Sequence, residues 1–560
     1  ILCCILYEIL YETNNTSYNM QHKIVFSKTI HEFHRINAMA GMEIRSEANK
    51  NNTNTVWGYV PERGEILVSP TYPTEITPVG GTVPISWGAL DKLYQGGWKN
   101  TTITNNYVSF FVTFAYSLKD RYVFNANVRS DASNRFGQDA NKQFDPTYSF
   151  GISWRMAEEE FVKTYLPWLN QLNLRATYGV QGNVVTSISP DLITQYQGIL
   201  PGYNEYYLTI SSLPNPLLKW ERTKTWNLGL DLQLFNGISM SLEYYGRRSN
   251  AIINQDIAQE YGMNAMKLNG GRIHNHGLEY SVNITPYQRK DFVWTIGINA
   301  SKNWNRTQNN DIRTKAGKIT KSNFLTGSSD RFLKKGYPLS AFWSYSFAGL
   351  DPETGYPTFN LIDFEEADPD IDPTTFLVYS GQKDPYFTGG VNTRARYKSF
   401  SLGVNFSVLL GAKKRLPNPY QNFSHGKLPD PFYNLSKDLL KRWQKTGDEK
   451  HTIYPALYTS VEDLYNIQLP DGTMSNSIYD MWGQSDAMVV NASFLRCTQI
   501  SLSWNMPKQI CSKFGATNCS ISANVNNPFV IGSSRFNGFD PELGDSVMPK
   551  IFSFGLSVGF

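Results

Sequence analysis

The sequence is poor in cysteine, in charged residues and in long apolar runs. Its 560 residues include 5 Cys and only 18% Asp, Glu, Lys and Arg, with a formal net charge of +4; an average soluble protein has ~25% charged residues. Five cysteines are too few for a disulfide framework, and the small net charge excludes a strongly basic nucleic-acid-binding protein. Because no apolar run approaches the ~18–20 residues of a membrane helix, a helical membrane protein is also excluded.

Aromatic residues, in contrast, are abundant. They make up 14% of the chain, with 33 Tyr, 32 Phe and 13 Trp. A disordered chain rarely carries so many aromatic and β-branched residues, because such side chains need a packed or apolar environment. The composition therefore indicates an ordered protein with large apolar surfaces.

Apolar and polar residues alternate along many segments. The clearest examples are 227–234, 292–301 and 401–410, where each second residue is apolar and those between are mostly Asn, Ser, Gly and Thr. Such segments form strands with one apolar and one polar face. They run for ~9–12 residues, the length of a strand that crosses a bilayer, whereas ordinary strands average ~5–6. The pattern predicts an all-β fold, a large antiparallel transmembrane β-barrel.

The connections between these segments alternate in length. Short turns such as 236–237 separate some pairs of segments, and long loops (182–221, 250–270, 307–339 and 412–490) separate others. Short periplasmic turns and long extracellular loops are typical of an outer-membrane barrel. At ~30 residues per strand and connection, the chain provides roughly 16–18 strands.

The last strand carries its own signal. Apolar residues alternate up to the final position, at Phe552, Phe554, Leu556, Val558 and Phe560. A terminal aromatic residue that closes an alternating strand resembles the signal by which bacterial outer-membrane proteins are recognised for assembly. A final strand that happens to end in Phe is the alternative.

Several segments, in order along the chain, resemble the SusC/RagA family of TonB-linked outer-membrane transporters. The motifs include Arg-Ser-Asp-Ala-Ser-Asn-Arg-Phe-Gly and Gly-Phe-Asp-Pro-Glu, and the matching segments are 129–137, 149–161, 269–279, 348–355, 384–390, 494–496, 526–529 and 538–542. Each match alone is weak, whereas together they are specific.

The resemblance implies a 22-stranded barrel of which this chain supplies the C-terminal portion. Residues 1–20 are expected to be a poorly defined fragment start and residues 21–560 the barrel, with the N-terminal strands and the plug missing. The family imports oligomeric nutrients, glycan oligosaccharides or peptides, across the outer membrane of Gram-negative bacteria. Its partners are a SusD-like surface lipoprotein, TonB–ExbB–ExbD, the barrel assembly machinery and outer-membrane lipid. A passive porin or adhesin-like barrel and a secreted β-rich carbohydrate-binding protein remain alternatives.

No motif for catalysis is present, so the sequence predicts a protein that is not an enzyme and needs no cofactor. Strand parity predicts that Asn125, Asn127, Arg129 and Arg175 face the barrel lumen, where they contact substrate or brace the wall. Acidic residues at Asp368, Asp370 and Asp372 form either a Ca²⁺ site or a solvated loop, because alternating carboxylates can converge on a cation.

Four further features leave alternatives open. His274 and His276 form a metal pair or a structural motif, and the basic cluster 413–415 meets lipopolysaccharide phosphates or solvent. Residues 435–444 are expected to form a short amphipathic helix in a long loop. Cys511 and Cys519 form a bridge across a hairpin or remain free thiols.

Overall fold

The computed structural model describes most of the chain. The described residues are 7–57, 59–60, 66–67, 98–134, 144–183, 185, 191–200, 205–216, 218–256, 260, 263, 265–308, 321–327, 334–420, 434–457, 467–475 and 477–560. Long β-strands dominate them, and this confirms the all-β prediction.

Fifteen strands form one antiparallel sheet, here called the wall, in which each strand pairs with the next along the chain. The strands are β1 Tyr7–Ile30, β2 His34–Trp57, β3 Trp98–Leu118, β4 Tyr122–Ser133, β5 Phe144–Arg155, β6 Leu169–Asn183, β7 Glu221–Leu234, β8 Ile238–Asp256, β9 Ala265–Gln288, β10 Phe292–Thr307, β11 Phe387–Tyr397, β12 Phe400–Leu410, β13 Phe494–Asn505, β14 Asn518–Ile531 and β15 Ile551–Gly559. Within the described ranges the fifteen strands are close to the roughly 16–18 expected from ~30 residues per strand.

Many strands are longer than the alternation alone predicts. β1, β2 and β9 each have 24 residues. At ~3.3 Å per residue such a strand is about 80 Å long, far more than the ~30 Å hydrocarbon layer of a bilayer. The pairing of β1 with β2 continues through polar segments at 12–17 and 46–52, where alternation is lost. The strand β1 also includes residues 7–20, which were expected to belong to a poorly defined fragment start.

Apolar and polar residues lie on opposite faces of the wall. One row of directly paired residues crosses seven strands at Tyr116, Phe124, Ile152, Ala176, Leu228, Tyr244 and Leu278. Several of these side chains are exposed, with Ile152 at 60% and Leu228 at 54%. Since successive strand residues point to opposite faces, this apolar face fits contact with lipid and the other face is polar.

Connections on the two sides of the wall differ. On one side five connections are turns of at most three residues, at 31–33, 119–121, 235–237, 289–291 and 398–399. The other two on this side, 156–168 and 506–517, contain short helices. The helices of the described chain are α1 Glu160–Tyr165, α2 Lys321–Thr326, α3 Ile478–Gly483 and α4 Lys508–Cys511. Within the described ranges no helix is both long and apolar enough to cross a membrane.

On the opposite side, three long connections pack together into what is called here the loop body. It comprises the described parts of 308–386, 411–493 and 532–550. Its hairpins pair Ala341–Tyr345 with Leu377–Gln382, Phe347–Leu350 with Pro357–Phe359, and Lys413–Arg415 with Val489–Asn491. Two hydrophobic clusters fill it; Trp482 and Tyr420 lie in one, and Trp343 and Phe324 in the other. The long loops therefore form a packed layer.

Candidate functional site

The predicted lumen residues of β4 all lie on the polar face of the wall. Asn125, Asn127 and Arg129 alternate with Phe124 and Val128, which are 38% and 44% exposed on the apolar face. The Asn127 amide donates a hydrogen bond to Ser149 Oγ at 3.2 Å on β5. Asn125 pairs with Gly151 in the register, so its side chain has open space on that side.

Arg175 on β6 is the centre of a charged cluster on the same face. Its guanidinium lies 2.9 Å from Asp231 and 2.8 Å from Glu243, which are on β7 and β8. Asn227 donates to Glu243 and Ser241 donates to Asp231, each at 2.9 Å. One cation thus holds two carboxylates, and each carboxylate also accepts a hydrogen bond from a neutral donor.

A glycine on the intervening strand β7 allows Arg175 on β6 to reach Glu243 on β8. Gly229 stands in the register directly between Arg175 and Glu243. A Cβ atom at that position would lie 3.1 Å from Arg175 Nη2, closer than ordinary van der Waals contact. The missing side chain lets the guanidinium lie against the backbone of β7 and reach Glu243.

Arg129 forms a second cluster. Its guanidinium contacts Asp131 at 2.6 Å and Glu43 at 3.2 Å, and donates to Ser109 Oγ at 2.8 Å. These residues line a cavity of about 190 Å³ together with Arg45, Tyr107 and Trp220. Arg45 stacks over the Tyr107 ring at 4.7 Å. The cluster offers guanidinium and aromatic surfaces to a polar ligand.

Sequence reasoning missed the acidic partners of both arginines. Asp231 lies on the strand next to that of Arg175, whereas Glu243 and Glu43 lie two strands from the arginines they contact, all far along the chain. Their own parity within the alternating segments was a usable signal, since Asp231 occupies a polar position between Leu230 and Leu232. The pairing register that brings them beside an arginine is a property of the folded sheet.

At the loop-body end of the wall, two of the matched motifs meet. The Arg496 guanidinium, on β13, lies 2.7 Å from Asp540 and 3.0 Å from Glu542. Arg496 and Asp540 are each only 4% exposed. Burial by itself would raise the pKa of Asp540, but hydrogen bonds from Arg496 and from the backbone of Glu542 outweigh it and lower that pKa. The motif residues fasten the 532–550 connection to the wall.

The three aspartates of the calcium hypothesis are not brought together. Asp372 pairs with Lys334 at 2.5 Å and accepts from Thr374 N at 2.9 Å, while Asp368 accepts from Asp370 N at 2.9 Å. Burial would raise the pKa of Asp372, but the bonds from Lys334 and Thr374 hold it below its usual value. Within the described residues, no three His, Cys, Asp or Glu side chains are grouped to hold a metal.

The structure also describes three further features of the sequence. The His276 ring stacks on Trp304 with centroids 5.1 Å apart. Cys511 and Cys519 are both buried free thiols in one small cluster. The expected helix at 435–444 is wrong in its extent, because only Lys437–Lys441 is helical, as a 3₁₀ turn capped by Ser436.

Four of the predicted signal residues lie on one exposed face of the terminal strand β15, and the fifth, Phe560, follows the strand and is also exposed. Phe552 is 65% exposed, Phe554 83% and Phe560 88%, and Leu556 and Val558 share the face. β15 pairs with β14 along one side. The side chains are thus available to a membrane or to another protein.

Comparison with known proteins identifies relatives. The family described as TonB dependent receptor-like, beta-barrel, matches residues 10–413. The TonB-dependent receptor SusC of Bacteroides thetaiotaomicron is 28% identical over 81% of this chain and 44% of its own length. The TonB-dependent receptor P3 of Formosa agariphila is 25% identical over 78% of this chain and 42% of its own length. The chain spans less than half the length of these relatives.

Solved structures agree on the fold. The RagAB peptide transporter superposes with a TM-score of 0.73 at 21% identity, covering 99% of this chain and 56% of that one. The RagAB peptide importer in its closed-closed state gives a TM-score of 0.74. The fifteen strands therefore have the arrangement of a barrel wall.

Proposed function

The chain belongs to the TonB-dependent receptor-like β-barrel family, as the SusC/RagA-like motifs predicted, and we propose that it forms the barrel wall of an outer-membrane importer of oligomeric nutrients. The proposed activity is energised transport rather than catalysis. The proposed location is the outer membrane of a Gram-negative bacterium.

The observation that carries the proposal is the row of directly paired apolar residues that crosses seven strands of the wall. The family match covers residues 10–413 and so includes these strands. A soluble sheet exposing this row would be prone to associate through it. In a bilayer the same row is the required lipid-facing surface, and the opposite polar face lines an aqueous lumen.

We infer the cargo to be glycan oligosaccharides. The polar face supports this, because the Asn125 amide has open space beside Gly151, and Arg45 and Arg129 line a cavity with Tyr107. Sugar hydroxyls accept hydrogen bonds from such donors, and aromatic rings such as Tyr107 can stack on sugar faces. Peptides are the competing cargo, and the uptake experiment below distinguishes the two.

The proposed partners follow from the function. A SusD-like surface lipoprotein would sit over the loop body, and TonB–ExbB–ExbD would supply energy from the inner membrane. We also propose that the exposed aromatic residues of β15, ending in Phe560, are read by the barrel assembly machinery. The resemblance to SusC supports the first two assignments, and the exposure of the terminal aromatic residues supports the third.

Uptake by intact cells tests the proposal. Cells that carry the gene, cells that lack it and cells that lack TonB are supplied with fluorescent oligosaccharides or with peptides of equal mass. Saturable oligosaccharide uptake that requires both the gene and TonB is expected. Uptake that survives the loss of TonB would identify a passive porin instead, and uptake of peptides alone would overturn the cargo assignment.

A further inference from the structure

A cavity of about 620 Å³ opens within the loop body. Its walls come from all three long connections; Phe342 and Lys383 lie in the first, Arg415 and Asp480 in the second, and Asp545 in the third. Pockets of roughly 300–1,000 Å³ hold small organic ligands. The cavity is therefore large enough for part of an oligomer, and it lies away from the apolar face of the wall.

Positive charge dominates the lining. Four cationic side chains face two carboxylates, Asp480 and Asp545, and the cations are Lys383, Lys413, Lys414 and Arg415. Among the residues that the structure describes, none of the four is ion-paired with a carboxylate within 4.0 Å. The cavity thus holds an excess of positive charge.

Arg415 is fixed by neutral groups. It donates to the carbonyl oxygens of Leu325 and Trp343, each at 2.8 Å, and to Ser344 Oγ at 2.9 Å. Its Nε atom is buried and has no hydrogen-bond partner within the described chain. Burial lowers the pKa of Arg415 to about 10, so the side chain still carries its charge at neutral pH. A buried cation without a counter-ion is costly, and an anionic ligand would offset that cost.

The two neighbouring lysines are held by different contacts. The aliphatic stem of Lys413 packs on Gly381, where φ is +117° and a Cβ atom would lie 2.6 Å from Lys413 Cγ. Lys414 Nζ donates to the carbonyl oxygen of Glu542, and burial lowers the pKa of Lys414. These contacts fix the stem of Lys413 and the ammonium group of Lys414 at the cavity, where charged hydrogen bonds to an anion are possible.

We propose that this cavity binds a carboxylate or sulfate group of an acidic oligosaccharide. The cations would hold the anionic group, while the amide of Gln484, which also lines the cavity, would meet the hydroxyl groups of the sugar. The inference rests on the proposed function and narrows its cargo from glycans in general to acidic glycans.

Calorimetric binding to the protein purified in detergent tests this inference. The probes are trigalacturonate, the neutral trisaccharide galactotriose and inorganic sulfate. We expect trigalacturonate to bind at least tenfold more tightly than galactotriose, and sulfate to compete with it. The double variant Lys413→Gln/Lys414→Gln is expected to bind trigalacturonate at least tenfold more weakly, since each lost charged hydrogen bond is worth about a factor of ten.

A matched variant controls for loss of charge. Lys437→Gln/Lys450→Gln removes two exposed cations from the same connection, outside the cavity lining, and is expected to bind like the wild type. Protease resistance of the loop body checks that each variant is folded. The second variant Arg415→Gln is used if the lysine double variant fails that check.

Several outcomes would overturn the inference. They are equal binding of the acidic and neutral trisaccharides, undiminished binding by the folded lysine variant, and tighter binding of lipopolysaccharide or of a triaspartate peptide than of trigalacturonate. Binding to the purified protein needs no TonB. Failure of the proposed transport with intact binding would therefore refute only the transport function, and absent binding with intact glycan uptake would refute only this site.

Discussion

At the scale of single residues, Arg496 and Asp540 show why an ion pair 44 positions apart in sequence matters. Both side chains are 4% exposed and their contacts are bidentate, at 2.7 and 2.8 Å. Removing one partner of a buried pair leaves an uncompensated charge, which costs about 3–5 kcal/mol. We therefore expect Arg496→Ala to destabilise the 532–550 connection, seen as faster hydrogen exchange there.

The control for Arg496 uses hydrophobic replacement of both partners. Arg496→Met combined with Asp540→Leu removes both charges, so it is expected to recover much of the lost stability. Lys163→Ala removes the exposed pair with Glu158, whose side chains are 51% and 52% exposed, and should change stability by less than about 1 kcal/mol. Equal effects of Arg496→Ala and Lys163→Ala would contradict the role assigned to burial.

Acid titration provides a separate prediction for Asp540. Its folded pKa is lowered, so it contributes stability that is fully present above the unfolded pKa of about 3.9 and is lost as pH falls through the lower folded pKa. The difference in unfolding free energy between the wild type and Asp540→Asn should be constant from pH 7 to 5 and shrink below about pH 4. A gain in the stability of the wild type relative to Asp540→Asn as pH falls from 7 to 5 would show that burial has raised the pKa instead.

Both motifs that form the contact between Arg496 and Asp540 could be recognised in the sequence, whereas the contact between them could not be predicted. Segments 494–496 and 538–542 were recognised through resemblance, and nothing in their spacing said that they meet. The same holds for Asp231 and Glu243, whose polar parity was visible while their pairing with Arg175 was not. Long-range partners depend on register and on the path of loops, which local periodicity does not encode.

At the scale of strands, the contact between Arg175 on β6 and Glu243 on β8, across Gly229 on β7, can be tested by mutation. Arg175 and Glu243 flank Gly229 and touch across it at 2.8 Å. A double-mutant cycle with Arg175→Met and Glu243→Gln should give a coupling of about 0.5–1 kcal/mol, kept small by partial exposure. In a Gly229→Val background the added side chain should displace the guanidinium and reduce the coupling to near zero.

The matched control for that cycle is Gly151→Ala. A Cβ atom at Gly151 would lie 3.4 Å from Thr177 Cγ2, an ordinary contact, on the same face of the wall. The coupling between Arg175 and Glu243 should be unchanged in this background. Persistence of the full coupling in the Gly229→Val background would show that the gap at Gly229 is not what permits the contact.

The sequence predicted which segments form strands and which face of the sheet their side chains occupy. It did not predict the residues at which the strands begin and end. Alternation placed Asn125, Asn127 and Arg129 on the polar face because a period of two requires nothing beyond local order. Alternation underestimated the lengths of β1 and β2, because their backbone pairing continues through segments in which both faces are polar. The segment 435–444 has helical spacing, yet only Lys437–Lys441 is helical, as a 3₁₀ turn.

At the scale of the whole molecule, the wall and the loop body are stabilised by different means. The wall has a continuous backbone ladder through fifteen strands, and many of its large side chains are exposed. The loop body has short hairpins and the buried clusters around Trp482 and Trp343. Its stability therefore depends on side-chain packing, while that of the wall depends on hydrogen bonds and on lipid.

Trp482→Ala should separate the two layers. Trp482 is fully buried, donates to the Ile453 carbonyl at 2.9 Å and packs on Tyr420 with centroids 5.4 Å apart. Loss of such a side chain costs about 3–5 kcal/mol, which is enough to open the loop body. Limited proteolysis should then cut within 434–457 and 467–493, while the wall keeps its resistance to heat in detergent. Leu440→Ala, at a side chain 75% exposed in the same layer, should leave both properties unchanged. If the wall of the Trp482 variant instead melts together with its loops, the two layers form one cooperative unit, because only shared packing could transmit the defect from the loop body to the ladder.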